Sequence, residues 1–207
     1  MFEETHVKIL EQALNLLNFN ELKSYKNQLI EGVVRPDTYY RVVSHFYNPE
    51  TGKGIFFFGN AKDKGIKAYK KAVKCYKKGD KQKAYFLLGR SLHFLMDTTM
   101  PAHTIPAIHP FSPDDLELYL LNNPIQATNA AIVDKEIESY FIDAAKESRK
   151  MKTIPNGFFI SLKFKYFGKS QKLSEEELKS QAEKVISLAV SYSAGIIKKF
   201  CRQTRYY

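Results

Sequence analysis

His93 and Asp97, two side chains able to hold a metal ion, stand four residues apart in a strongly apolar stretch of this chain. On a helix that spacing puts both on one face, a turn apart, and imidazole with carboxylate so placed is half of a metal site. Leu87, Leu88, Leu92, Phe94 and Leu95 surround the pair. Burying two such polar groups is costly unless something such as a cation organises them. His103 follows six residues after Asp97, just past Pro101, which forbids continuation of the helix. The reversing chain can therefore present His103 near the same helix end. His6, His45 and His109 are the other histidines. Each taken alone reads as a structural or surface residue, although histidine is the commonest metal ligand. Asp37, after Pro36, reads by itself as a turn residue.

The elements that must position these residues are helical. Val7, Leu10, Leu14 and Leu17 recur at spacings of three and four, predicting a helix over Glu4 to Leu17 with these residues inward. Asn20 is placed to cap a second helix ending near Gly32, and Asn60 a third, whose Lys67, Lys70, Lys71, Lys74, Lys77 and Lys78 form a solvated surface. Gly79-Asp80 separates it from the helix of His93 and Asp97, expected over Lys81 to Met100. Ser112-Pro113 opens a short helix through Leu121. Another is expected from Asn129 to Met151, burying Ile132, Ile137, Tyr140, Phe141 and Ala145. The stretch from Ile154 to Lys172 alternates apolar and polar residues and predicts a short extended segment near 156–168. Ser174 with Glu177 forms a capping box for a last helix to about Cys201. The fold expected is all-α: a single bundle of about seven helices.

At 207 residues and 44% hydrophobic content the chain fits one domain, 1–207, with a sizeable core. Its 32 Lys and Arg against 22 Asp and Glu give +10, which favours partners carrying phosphate or other anionic groups. Cys75 and Cys201 make no disulfide framework and are expected as buried thiols. No stretch approaches a membrane span, and the N-terminus lacks the pattern of a signal peptide.

Two segments then carry a resemblance. Leu88 to His103, reading LGRSLHFLMDTTMPAH, is similar to the signature of the zinc-dependent bacterial phospholipases C and of the related single-strand-specific fungal nucleases. Ser44 to Gly52, reading SHFYNPETG, resembles the loop that supplies another zinc histidine in the phospholipases. Weaker similarity runs through Gly79-Asp80 and Tyr140 to Ala145 into the last helix, so it covers nearly the whole chain.

The resemblance implies a helical domain with a cleft holding two or three zinc ions. Asp37, His45, His93 and Asp97 would hold the first, with Asp97 bridging to a neighbour completed by His6 and the amine and carbonyl of Met1. His103 and Glu117 would bind the remaining ion with His109, or with Asp114 or Asp115. Two positions depart from the family. The chain begins Met1-Phe2 where the family has tryptophan, and Pro113 stands four residues before Glu117 where the family has a histidine.

Implied in turn is phosphodiester hydrolysis, with metal-bound hydroxide attacking phosphorus and Asp37 orienting or deprotonating the attacking water. Phospholipid is the expected substrate, with peripheral contact at a membrane surface and a secreted or extracytoplasmic setting. Arg90, Lys53 and Arg41 are candidates to bind phosphate. Aromatic residues are missing near Thr38 and Val42, where a cage for choline is expected, although Tyr39 and Tyr40 are adjacent. A nuclease or nucleotidase would use the same metals, with nucleic acid as substrate and aromatic platforms for bases. A non-enzymatic zinc-stabilised binding domain is the third reading, opposed by the absence of cysteine from every candidate position.

Overall fold

The computed structural model describes residues 1–17, 19–37, 44–54, 59–104, 115–151 and 173–204, and every regular element among them is helical. The elements are α1 (Glu3–Asn15), α2 (Asn20–Ser24), α3 (Lys26–Val34), α4 (Ala61–Lys77), α5 (Lys81–Thr98), a 3-10 turn (Pro101–His103), α6 (Asp115–Asn122), α7 (Ile137–Ser148) and α8 (Glu175–Thr204). The expected extended segment near 156–168 and the Ser112-Pro113 helix start lie outside the described residues.

α5 is the axis of the bundle, packed by α1, α3, α4, α7 and α8. Its C-terminal half is buried without interruption from Ser91 to Thr98, the polar His93 and Asp97 included. Its start is fixed by Asp80, whose carboxylate accepts from the Lys83 amide at 3.2 Å. Asn60 caps α4 in the same way through the Asp63 amide, at 2.8 Å, and Ser174 with Glu177 forms the expected capping box on α8.

Two glycines set the separation of α3 from α5. A Cβ on Gly32 would lie 2.0 Å from the Phe86 carbonyl oxygen, and one on Gly89 would lie 2.3 Å from that of Leu29. Both obstacles are backbone, so only a shift of one whole helix could relieve them. In an unobstructed helix Gly→Ala gains about 1 kcal/mol, whereas overpacking costs about 1–3 kcal/mol. Gly89→Ala is therefore expected to lower stability by up to about 2 kcal/mol net. Chemical denaturation tests this, and a stabilised variant would show that the helices are free to separate.

Several boundaries differ from expectation, each for a tertiary reason. The helix expected from Asn20 breaks at Tyr25, and Phe19, not Asn20, is the residue before its first turn. Tyr25 stacks on Tyr85 of α5, with centroids 4.6 Å apart. On α1 the buried stripe is His6, Ile9, Leu10, Ala13 and Leu17, while Val7 and Leu14 are half-buried. The helix is thus turned so that His6 faces inward. α7 begins at Ile137, well after Asn129, and Ile132 remains 36% exposed. The six named lysines, five on α4 and Lys78 just beyond it, are exposed as expected. Cys201 is buried, but Cys75 is only half-buried.

Candidate metal centre

Five segments converge at the C-terminal end of α5. α5 itself supplies His93 and Asp97, both fully buried. Asp37 sits on the turn closing α3, where its amide donates to the Val34 carbonyl at 3.2 Å. The N-terminus and α1 deliver Met1 and His6, the 3-10 turn delivers His103, and α6 delivers Glu117. His45 belongs to an irregular segment tied down by its neighbours: Tyr47 N donates to His103 O at 2.9 Å and Ala61 N to Phe46 O at 3.1 Å.

Asp97 lies at the middle of the cluster. Its Oδ2 is 2.8 Å from His45 Nδ1 and 3.1 Å from His93 Nε2, while Oδ1 is 3.3 Å from His6 Nε2 and 3.5 Å from the Met1 amine. Asp37 Oδ1 is 3.5 Å from both His45 Nδ1 and His93 Nε2, and its Oδ2 is 3.9 Å from His6 Nε2. With 24% of its side chain exposed, Asp37 marks the solvent edge of the cluster. A second grouping adjoins the first, in which the Met1 amine lies 2.9 Å from Glu117 Oε1 and 3.0 Å from His103 Nε2, and His103 Nε2 lies 3.1 Å from Glu117 Oε1.

The donors suit a metal better than they suit one another. His45 Nδ1 and His93 Nε2 approach to 3.1 Å, although His93 Nδ1 is already committed to the Val33 carbonyl at 2.7 Å. A backbone carbonyl on the far nitrogen is the usual means of fixing a ligating imidazole. Both ring nitrogens of His6 and Oδ2 of Asp37 are buried without an acceptable hydrogen bond among the described residues. Such orphans are costly, and a cation would satisfy them. Two sets of three donors, His6 with Asp37 and His93, and His45 with His93 and Asp97, each have ligand atoms within 4.8 Å of one another. Nitrogen and carboxylate donors without thiolate are a set that zinc accepts.

Without metal, the cluster is held by charge. Burial pushes His6 down to about 4, and His93 adds repulsion. Burial also lowers the Met1 amine, but the carboxylates of Glu117, Asp97 and Asp37 outweigh it and raise the amine to about 11. For His93 burial is likewise outweighed, by Asp97, and the net shift is upward. Asp97 resists burial through His93 and His103, which hold its carboxyl well below the ordinary range. The depressed His6 contributes stability that is present above its ordinary 6.5 and lost as pH falls toward 4. The raised Met1 amine contributes stability that is present below its ordinary 8.0 and lost as pH rises toward 11. The raised His93 likewise contributes stability present below its ordinary 6.5 and lost as pH rises, so metal-free protein is expected to be most stable near pH 6.5, with a thermal midpoint falling on both sides. A midpoint constant from about pH 5 to about pH 10 would contradict this electrostatic account.

Of the residues expected from sequence, Met1, His6, Asp37, His45, His93, Asp97, His103 and Glu117 come together. His109 and Asp114 lie outside the described residues, and Asp115 is the first residue of α6. Two participants have no signal in the sequence. The Val33 carbonyl is backbone, so residue type does not reveal it. Arg149, just beyond α7, donates to Asn48 Oδ1 at 3.1 Å and to Thr104 O at 3.2 Å, and pairs with Glu50 at 3.0 Å. It joins the segment carrying His45 to the turn carrying His103, yet in sequence it is one charge in a mixed run.

A phospholipase C of Bacillus cereus is 34% identical over 116 residues, covering 48% of this chain and 41% of the relative. A phospholipase C of Listeria monocytogenes is 33% identical over 106 residues, covering 46% and 37%. The matched part is thus about two fifths of the length of these relatives. In structure, the alpha-toxin of Clostridium absonum superposes with a TM-score of 0.71 at 18% identity, covering 96% of this chain and 63% of the toxin. That of Clostridium perfringens gives 0.69 at 19%, covering 97% and 63%. These two show a shared all-helical fold. Residues 5–187 match the model of the zinc dependent phospholipases C. A match over most of the chain, with every side-chain donor of the cluster inside it and only the Met1 amine outside, has one meaning: the chain belongs to the zinc dependent phospholipase C family.

Proposed function

We propose that this chain is a zinc-dependent phosphodiesterase of the phospholipase C type, hydrolysing the bond between glycerol and the phosphorylated headgroup of a phospholipid. The observation that carries this reading is the facing pair His45 Nδ1 and His93 Nε2, both within 3.1 Å of Asp97 Oδ2, with Asp37 at the solvent edge beside them. Asp37, His45, His93 and Asp97 would hold one ion. Asp97, His6 and Met1 would hold a second. His103 and Glu117 would hold a third, with His109 or a nearby aspartate, so the cluster takes two or three ions. When bound, zinc supplies Lewis acidity toward phosphoryl oxygen and brings the pKa of water toward neutrality.

The chain's own residues do the rest. Asp97, buried and ionised, fixes the spacing of the donors around it. Val33 holds the His93 ring through its carbonyl. Asp37 orients the attacking water and takes its proton as the new oxygen–phosphorus bond forms and the bond to the glycerol oxygen breaks. The departing glycerol oxygen takes a proton from solvent water, and Asp37 returns the one it accepted to solvent, so that the protons balance. Among the described residues no helix is long and apolar enough to cross a membrane, so lipid would be met at the bilayer surface. An extracytoplasmic setting rests on the family resemblance.

The test is turnover by zinc-loaded protein of bis-p-nitrophenyl phosphate, phosphatidylcholine, other phospholipids, single-stranded DNA and nucleotide monophosphates. Release of diacylglycerol is the expected result. Turnover confined to DNA would reassign the chain to the nuclease reading, and bound zinc with no turnover of any substrate to the binding-domain reading.

A further inference from the structure

Beside the donor cluster lies a cavity lined by more cations than any other of the described cavities. α3 and α4 both pack along α5, and the three helices line a groove of about 830 Å³ that reaches Pro36, Ser44 and His45. Lys64, Lys67 and Lys71 enter it from one face of α4, Lys83 and Arg90 from α5, and Arg35 from the end of α3. Glu31, 3.3 Å from Arg35, is the one carboxylate among the described lining residues. Six cations therefore face one acid at the margin of the cluster.

This arrangement differs from an ordinary solvated lysine face. The cations come from three helices and meet across a concavity, where a low-dielectric wall strengthens their joint field. Lys67, Lys71 and Lys83 are exposed and make no ion pair among the described residues. Like charges three and four residues apart repel, and an external anion would offset that cost. The apolar part of the lining does not suit nucleic acid. Phe94 is 3% exposed and Phe86 half-buried, so neither presents a free face on which successive bases stack.

We propose that this groove binds the anionic headgroup of a phospholipid at a bilayer surface, so that the enzyme acts preferentially on anionic over choline-bearing lipids. The inference rests on the phosphodiesterase reading and names its substrate class. It makes the charge of the groove a determinant of specificity, set by side chains that hold no metal.

The experiment measures sedimentation with, and diacylglycerol release from, vesicles of phosphatidylglycerol and of phosphatidylcholine, using zinc-loaded wild type, Lys67→Gln/Lys71→Gln and Lys67→Arg/Lys71→Arg. Each cation near an anionic surface is worth about fivefold in binding. The glutamine pair is expected to lose about 25-fold in affinity for phosphatidylglycerol vesicles and most of its selectivity over phosphatidylcholine. The arginine pair is expected to retain both, which separates charge from folding damage, and added salt is expected to weaken wild-type binding. Equal selectivity in wild type and the glutamine pair would overturn the proposal. So would wild-type preference for choline vesicles, or a single-stranded oligonucleotide that outcompetes phosphatidylglycerol vesicles for wild type. Failure of the same preparation to hydrolyse bis-p-nitrophenyl phosphate would instead sink the phosphodiesterase reading, while vesicle binding still judges the groove.

Discussion

Asp97→Asn is expected to abolish hydrolysis, deplete bound zinc and destabilise the metal-free protein at the same time. Four donors, His45, His93, His6 and the Met1 amine, lie within 2.8 to 3.5 Å of this one carboxylate. Losing a residue that only supports a ligand costs about 10–100-fold in affinity or activity, and a carboxylate placed directly among the donors should exceed that. The amide cannot supply the charge that offsets the burial of His93, and breaking a buried ion pair by removing one partner costs about 3–5 kcal/mol. His93→Ala should match it in zinc loss and inactivity, since its Nε2 faces the same oxygen. Zinc content by elemental analysis, turnover, and denaturation under chelation are the three measurements. Wild-type turnover and zinc stoichiometry in either variant would end the assignment of this cluster as the centre.

Asp37→Asn should separate chemistry from structure. The carboxylate sits on a turn, 24% exposed, with no side-chain donor closer than 3.5 Å among the described residues, so the fold should lose less than about 1 kcal/mol. General-base action is worth about 10²–10⁴-fold, and an amide can hold a water but cannot take its proton. Because Asp37 is also placed among the donors of one ion, turnover is read per bound zinc: kcat on that basis is expected to fall by that factor, with KM changed only a few-fold and the thermal stability of the metal-free protein nearly unaltered. Activity within about tenfold of wild type would remove Asp37 from the proton transfer.

The His93 and Asp97 pair was legible because helical periodicity alone places i and i+4 together, and α5 is apolar enough to identify as a buried helix. The turn at Pro101 made His103 legible for a similar reason. Family resemblance was needed for His6, Asp37 and Glu117, whose approach depends on packing between distant segments. On α1 two overlapping stripes satisfy the same period: of the four residues expected inward Leu10 and Leu17 are buried, while Val7 and Leu14 are half-buried because the helix turns His6 and Ile9 to the core. The early start expected for α7 failed because residues 125–135 find backbone partners elsewhere. Gln12 bonds the Ile125 carbonyl and the Ala127 amide, Ser191 accepts from the Ala131 amide, and the Tyr140 hydroxyl serves Val133 and Lys135. Close approach to Gly195, where a Cβ would lie 2.3 Å from the Val133 carbonyl oxygen, completes that docking. No local propensity encodes partners more than 100 residues away, as Gln12 is from both.

The joining of the first residue to one 96 positions later has a kinetic side. On the proposed assignment, an ion held by His6 together with Asp97 would act as a removable cross-link between α1 and α5. Closing a loop of about 100 residues in the unfolded chain removes on the order of 4–5 kcal/mol of entropy by the loop model. Chelation would therefore undo a clasp, letting α1 peel from the bundle and come within reach of proteases and hydrogen exchange before the helices around α5 follow.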